Sequence, residues 1–314
     1  MSITPEKILL DLKTNRRHRA IIDGDMAAEI DDQYAFAYCM GSDRIELLSA
    51  SVSAFFDPPE NTDTEAVMLR GYDEALLVLR ECGIDEDRMH VYRGAASQIS
   101  NNPGFTPSDS PAARNIIREA MSSDEPLYVI VTGPCTNVVS ACLIELKIMD
   151  RICVVWLGGQ CVPLREGLGF HEWNLFADYK AGQLLMDMDV ALIMIPCDPV
   201  GSVTIKMNSD DFKRIEGESR GAVLFRHTLP LREAKSEERL NGDWVKVQCD
   251  LAGPAALAVP DALNLRIIAA PVIPDDRRGY DICDSRRQIL YCENPDSRTI
   301  VDDAVASINR LVNR

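Results

Sequence analysis

The sequence predicts an α/β fold: a single open, mostly parallel β-sheet with helices on both faces. Three observations carry this. Short β-branched runs alternate with longer amphipathic stretches, the runs are apolar almost throughout, and no linker or composition break divides the 314 residues. Near-continuous apolar strands separated by helices belong to a parallel sheet buried on both faces. Residues 1–314 are therefore expected to form one domain.

In chain order, "RAIID" (19–23) is the first strand and leads to a helix near 30–41. "IELLSASVSA" (45–54) follows, then a helical stretch at 60–82 and the strand "MHVYRG" (89–94). A helix at 111–122 precedes "PLYVIVTG" (126–133), and one at 136–147 precedes "RICVVWLGG" (151–159). A helix at 178–187 leads to "VALIMIP" (190–196). This Rossmann-like alternation gathers functional groups beyond the carboxyl ends of the strands. The loops after "RAIID" and "PLYVIV" open at that edge.

A formal net charge of −16 argues against nucleic acid or an anionic membrane surface as partner, since both need a basic face. "MSITPEKILLDLKTNRRHRA" has no secretory apolar core, and the longest apolar runs are too short to span a bilayer. The ten cysteines show neither a Cys-x-x-Cys pair nor zinc-ligand spacing. Reduced thiols in a cytoplasmic protein is the favoured reading over a disulfide framework.

The chemistry concentrates in "IIDGDMAAEIDDQYAF" (21–36), where Asp23, Asp25, Glu29, Asp31 and Asp32 fall within ten positions. Asp31 and Asp32 lie where a helix begins, and the macrodipole there favours a carboxylate by roughly 0.3–1 kcal/mol. A helix start does not account for Asp23 and Asp25, which have no helix to cap. Several carboxylates on one loop make a hard-oxygen site suited to Ca²⁺ or Mg²⁺. Asp-x-Asp after an apolar strand also opens the haloacid dehalogenase phosphatases, with the first Asp as nucleophile. Ala27 stands where that signature wants Thr or Val, and the Asp31-Asp32 pair is foreign to it.

"DGDMAAEIDD" resembles the Asp-x-Asp-Pro-Gly-x-Asp-Asp metal motif of the inosine–uridine-type nucleoside hydrolases, two residues longer and without Pro-Gly. Three further segments follow in that family's order. "VTGPCTN" (131–137) resembles Thr-Gly-x-x-Thr-Asn, "GFHEWNLFADYKAG" (169–182) resembles Glu-Phe-Asn…Asp, and "QCDLAGPAAL" (248–257) resembles His-Asp-Pro-Leu-Ala. The resemblance implies a nucleoside-hydrolase-like fold and a hydrolase of N-glycosyl bonds. It implies Ca²⁺ held by Asp25, Asp32, the Thr132 carbonyl and Asp250. Asp31, Glu172 and Asn174 would bind the ribose hydroxyls, Asp25 would be the base that activates a metal-held water, and Asp23 would brace the loop. A ribonucleoside-like small molecule and a homodimer or homotetramer are implied in the same way.

Four departures accompany this. The first loop is longer and adds Glu29, and Cys249 replaces the His that in purine-active relatives assists the leaving base. Phe56 stands where the family usually has Asn, and "QCVPLREGLG" (160–169) lacks the Gly-Asn pair expected at the 5′-hydroxyl. Phe55, Phe56, Trp173 and Trp244 are candidates to line an apolar base pocket, although aromatic residues are more often core. A second function class thus stays open, a non-catalytic ribose- or nucleoside-binding protein on the same scaffold.

Overall fold

A computed structural model describes residues 3–55, 63–197, 201–234 and 244–312. Its central sheet has eight strands in the order β3-β2-β1-β4-β5-β6-β10-β9. These are β1 (His18–Gly24), β2 (Ile45–Val52), β3 (Val91–Arg93), β4 (Leu127–Val131), β5 (Ile152–Leu157), β6 (Ala191–Ile195), β9 (Leu265–Ala269) and β10 (Gln288–Cys292). All neighbours pair in parallel except β9 and β10. A separate antiparallel ribbon joins β7 (Lys206–Asn208) to β8 (Val245–Val247).

The α/β reading of the sequence therefore holds, and the sheet is mostly parallel. The strands are shorter than their apolar runs, 45–52 against 45–54 and 91–93 against 89–94. The sequence reading assigned nothing beyond residue 196, where the structure adds β7 to β10 and the long helix Ser297–Val312.

Strands β1, β4 and β5 are wholly buried because they feed two cores at once. Ile22, Tyr128, Ile130 and Val155 pack on one face, with the helices Asp31–Gly41 and Ser297–Val312. Ile21, Val129, Val131 and Val154 pack on the other, with Pro111–Met121 and Thr136–Ile144. That alternation is the period of two along a strand with both faces covered. Among the described residues no helix is long and apolar enough to cross a membrane.

The chain winds outward from β1 through β2 to β3, then returns to place β4 on the other side of β1. This reversal leaves a crevice beyond the carboxyl ends of β1 and β4, the place where such sheets bind ligands. Asp23 is in register with Val131. The residues that follow, Gly24-Asp25 and Thr132-Gly133, therefore emerge side by side.

Candidate active site

β1 ends in Asp23 and Gly24, and the loop from Asp25 runs into the helix Asp31–Gly41. Asp23 is fully buried, and its Oδ1 accepts from Ser51 Oγ and Asn137 Nδ2, each at 2.9 Å. Burial, against those two hydrogen bonds, lifts its pKa to about 6. With no exposed oxygen it cannot attack a substrate, which removes the phosphatase alternative.

Asp31 and Asp32 occupy the first turn of the helix, and Ile30 at its N-cap contributes no side-chain hydrogen bond. Asp250 arrives from the far end of the chain, in the one-turn 3₁₀ segment Cys249–Leu251. One oxygen each from Asp31, Asp32 and Asp250 lie within 4.8 Å of one another, and all three residues are buried. Asp25 lies outside this triplet, but the charge of nearby Asp32 acts on it. Asp32 is the hub, because it also contacts Asp250 and accepts from Thr132 Oγ1 at 2.8 Å.

Such crowding is costly. Unit charges at most 4.8 Å apart repel by roughly 3.5 kcal/mol a pair at an effective dielectric of about 20. Three pairs approach about 10 kcal/mol, as much as the whole stability of an ordinary domain. The titration behaviour reflects this. Burial, then Asp32, drives Asp25 well up, and burial, then Asp31 and Asp32, does the same to Asp250. Burial, Asp32 and Glu29 raise Asp31 to about 8 against the pull of Lys246. Asp32 rises less, to about 6, because burial is opposed by hydrogen bonds from Thr132, Asp25 and Asp250. Such a group of acids is satisfied by bound protons or by a hard cation, and its all-oxygen donor set suits Ca²⁺ or Mg²⁺.

The opposite wall is built by the helix Trp173–Ala177. Glu172 caps it, accepting from the backbone N–H of Gly159 at 2.7 Å and of Asn174 and Leu175 at 2.9 Å each. Burial raises the Glu172 carboxyl and these amides oppose the rise. Asn174 Nδ2 donates to the carbonyls of Thr132 at 2.8 Å and Leu157 at 2.9 Å. Both amide hydrogens are thereby used, so Oδ1 is the atom Asn174 can offer a ligand. The Thr132 carbonyl keeps its second lone pair.

Asp25, Asp31, Asp32, Thr132, Glu172, Asn174 and Asp250 all line one open pocket of about 300 Å³. Glu29, Cys249, Phe55 and Trp173 line it too. Trp244 does not: it stacks on Phe212 with centroids 5.0 Å apart and packs against the core. Phe56 lies outside the described residues. Nothing from 160–169 reaches the pocket; Gln160 there turns its amide to the His171 carbonyl at 2.6 Å.

Sequence reasoning missed four participants. Ser51 and Asn137 fix Asp23, although Asn137 lay inside the quoted "VTGPCTN" segment. Lys246 of β8 ion-pairs with Glu29 and, at 2.9 Å, with Glu233, so the extra acid of the longer loop has its own counter-ion. Cys197, just past β6, lines the pocket beside Cys249.

Fold and pocket together define an α/β protein with an acid-walled crevice at a topological switch point, chemically suited to a hard cation and a polyhydroxylated ligand. The chain belongs to the inosine-uridine preferring nucleoside hydrolase family, a family of N-glycosyl hydrolases, whose model matches residues 20–307. Its sequence is 23% identical over 183 residues to the pyrimidine-specific ribonucleoside hydrolase RihA of Klebsiella pneumoniae (strain 342), covering 54% of this chain and 57% of that relative. It is 21% identical over 243 residues to RihA of Escherichia coli O127:H6, covering 73% and 75%. Its fold matches a purine-preferring ribonucleoside hydrolase from Gardnerella vaginalis with a TM-score of 0.72 at 18% identity, over 94% of this chain and 99% of the other.

Proposed function

We propose that this chain is a Ca²⁺-dependent hydrolase of the N-glycosidic bond of a ribonucleoside or related N-riboside, acting as one domain. The observation that carries this is the convergence of Asp25, Asp31, Asp32, Asp250, the Thr132 carbonyl, Glu172 and Asn174 on one pocket. Asp25, Asp32, Asp250 and the Thr132 carbonyl would hold the cation, and the tight grouping of Asp31 with Asp32 and Asp250 brings that carboxylate into its reach. When bound, the cation neutralises the acids, orients the ribose diol and a water, and makes that water more acidic.

The chain's own groups do the rest. Asp31, Glu172 and Asn174 Oδ1 accept from the ribose hydroxyls, and Glu172 is held for that task by three backbone amides. Asp25 takes a proton from the attacking water, help worth roughly 10²–10⁴-fold. Bond cleavage builds positive charge on the sugar, and the surrounding carboxylates stabilise it. No covalent sugar intermediate is implied. Phe55, Leu157 and Trp173 give the pocket an apolar wall for the base, and Trp173 stands at the mouth with 68% of its surface exposed.

A second reading is a nucleoside-binding protein without turnover. It is favoured by one observation: no His, Lys or Arg is among the described residues that line the pocket. Base release from purine and pyrimidine ribonucleosides, with calcium and with chelator, decides between them. Release that chelator abolishes supports the hydrolase. Calcium-dependent binding without release establishes the second reading, and neither would overturn both.

A further inference from the structure

Between β5 and the helix Trp173–Ala177 the chain forms a strap, residues 158–172, whose two ends meet. The Gly159 N–H donates to Glu172 Oε2 at 2.7 Å, and Gln160 Nε2 donates to the His171 carbonyl at 2.6 Å. Tyr280 reaches this closure from the connection between β9 and β10. The backbones of Val272 and Asp281 pair beside it, at 2.9 and 3.1 Å, and fix that connection. The Tyr280 ring stands edge-on to Phe170 of the strap, with centroids 4.8 Å apart. Its hydroxyl accepts from the Gln160 N–H at 2.8 Å and donates to the Gln160 carbonyl at 3.2 Å. Gln160 is buried outside any strand, where backbone groups need such partners. Gly159 permits the approach: its φ is +76°, and a Cβ there would lie 2.5 Å from the Tyr280 hydroxyl oxygen.

We propose that Tyr280 is a positioning residue for sugar binding: by clamping Gln160 it sets the neighbouring Gly159 amide that holds the Glu172 carboxylate. Tyr280 is not among the described residues that line the pocket, so it acts through the strap. The role rests on the reading of Glu172 as an acceptor for a ribose hydroxyl.

The donors to Glu172 explain why Gly159 matters. The amides of Asn174 and Leu175 belong to the helix that Glu172 caps and travel with it. The Gly159 amide comes from the other end of the strap and ties the carboxylate to the end of β5. The Cys197 N–H also holds the Gly159 carbonyl, at 2.8 Å. Loss of the Tyr280 hydroxyl therefore loosens the turn without releasing it, and the carboxylate spreads over more than one orientation.

The full chain and Tyr280→Phe are compared with uridine and inosine as probes, by calorimetric titration at saturating calcium and by steady-state kinetics where base is released. Kd, or KM where there is turnover, should rise about tenfold, as for one well-made hydrogen bond, with kcat changed less than about twofold. Calcium affinity should not change, because the acid cluster stands on the opposite wall; a residue that only supports the fold would weaken both. Glu172→Gln should raise Kd at least as much, and adding Tyr280→Phe to it should cost less than about twofold more, since both act through one carboxylate.

Unchanged Kd in Tyr280→Phe beside a weakened Glu172→Gln overturns the role of Tyr280 and leaves that of Glu172 standing. Unchanged Kd in Glu172→Gln, or a parent chain that binds neither probe, overturns both. Additive losses in the double variant, or an equal loss of calcium affinity in Tyr280→Phe, also overturn the proposal. Should Tyr280→Phe not fold, Gly159→Ala displaces the same hydroxyl with its methyl. The same rise in Kd is then expected, and an unchanged Kd overturns the proposal.

Discussion

The Thr132 hydroxyl donates to Asp32 Oδ1 at 2.8 Å, joining the end of β4 to the first turn of the helix that follows β1. Asn174 meets the same residue from the other side through the Thr132 carbonyl, at 2.8 Å. Thr132 thus ties the acid cluster to the wall that faces it. Asp32, held in this way and in contact with Asp25 and Asp250, is the carboxylate on which the cluster depends.

Asp32→Asn should remove nearly all turnover and weaken calcium binding by more than about 100-fold, beyond the range seen when only a supporting residue is lost. Calorimetric titration beside base-release assays checks this. Near-normal calcium affinity in Asp32→Asn would show that the cation is held elsewhere.

Gly24 is required by the close approach of Asp32 and Thr132. A Cβ built there would lie 2.5 Å from Asp32 Oδ1 and 2.7 Å from Thr132 Oγ1. Gly24→Ala should therefore break their hydrogen bond and cost roughly 10–100-fold in calcium affinity, with the fold retained. Calcium titration and circular dichroism together test it. Unchanged affinity would mean that the bond does not order Asp32.

How far the sequence revealed this site depends on distance along the chain. The five acids of 23–32 lie within ten positions, so the crowding was legible, as were Thr132, Glu172 and Asp250 through their segments. Lys246 was not, because it meets Glu29 across 217 residues and nothing local marks that pairing. Trp244 shows the opposite error, since an aromatic near a site segment carries no sign of which way it faces, and this one stacks on Phe212. β9 and β10 were not assigned from the sequence: Arg266 interrupts the apolar pattern of β9, and Arg286, Arg287 and Glu293 flank the short run of β10.

The raised acids give a pH dependence with a definite sign. Asp31, lifted to about 8, binds its proton more tightly in the folded chain than in the unfolded one, where it titrates near about 4. It therefore stabilises the cation-free fold on the acid side, and that contribution is lost as pH rises from about 4 through about 8. Tm in chelator should fall across this window, calcium should suppress the fall, and Asp31→Asn should flatten it. Scanning calorimetry reads all three; a Tm in chelator that rises with pH would contradict the clustering.

The ribose diol should be required. A site that hydrogen-bonds a hydroxyl rejects the analogue lacking it by roughly 10⁴-fold or more, because buried polar groups are left unpaired. Asn174→Ala should weaken catalysis while the cation stays bound. Comparable kcat/KM on ribo- and 2′-deoxyribonucleosides would show that Asp31, Glu172 and Asn174 do not hold the sugar.

Cys249 lines the pocket one residue from Asp250. Contact with the Cys197 thiol, burial and the charges of Asp31 and Asp250 push its pKa well up, so it stays protonated at neutral pH. A protonated thiol is nevertheless a weak donor with a shorter reach than an imidazole. Departure of the base then depends on water, on the apolar wall formed by Phe55 and Trp173, or on a base that leaves readily. Cys249→Ala should therefore cost less than about tenfold in turnover under reducing conditions, small beside the roughly 10²–10⁴-fold that a general acid supplies. Steady-state kinetics with calcium saturating, alongside a calcium titration of the same variant, makes the measurement. A loss of roughly 10³-fold with calcium affinity and fold retained would instead make the thiol the group that protonates the leaving base.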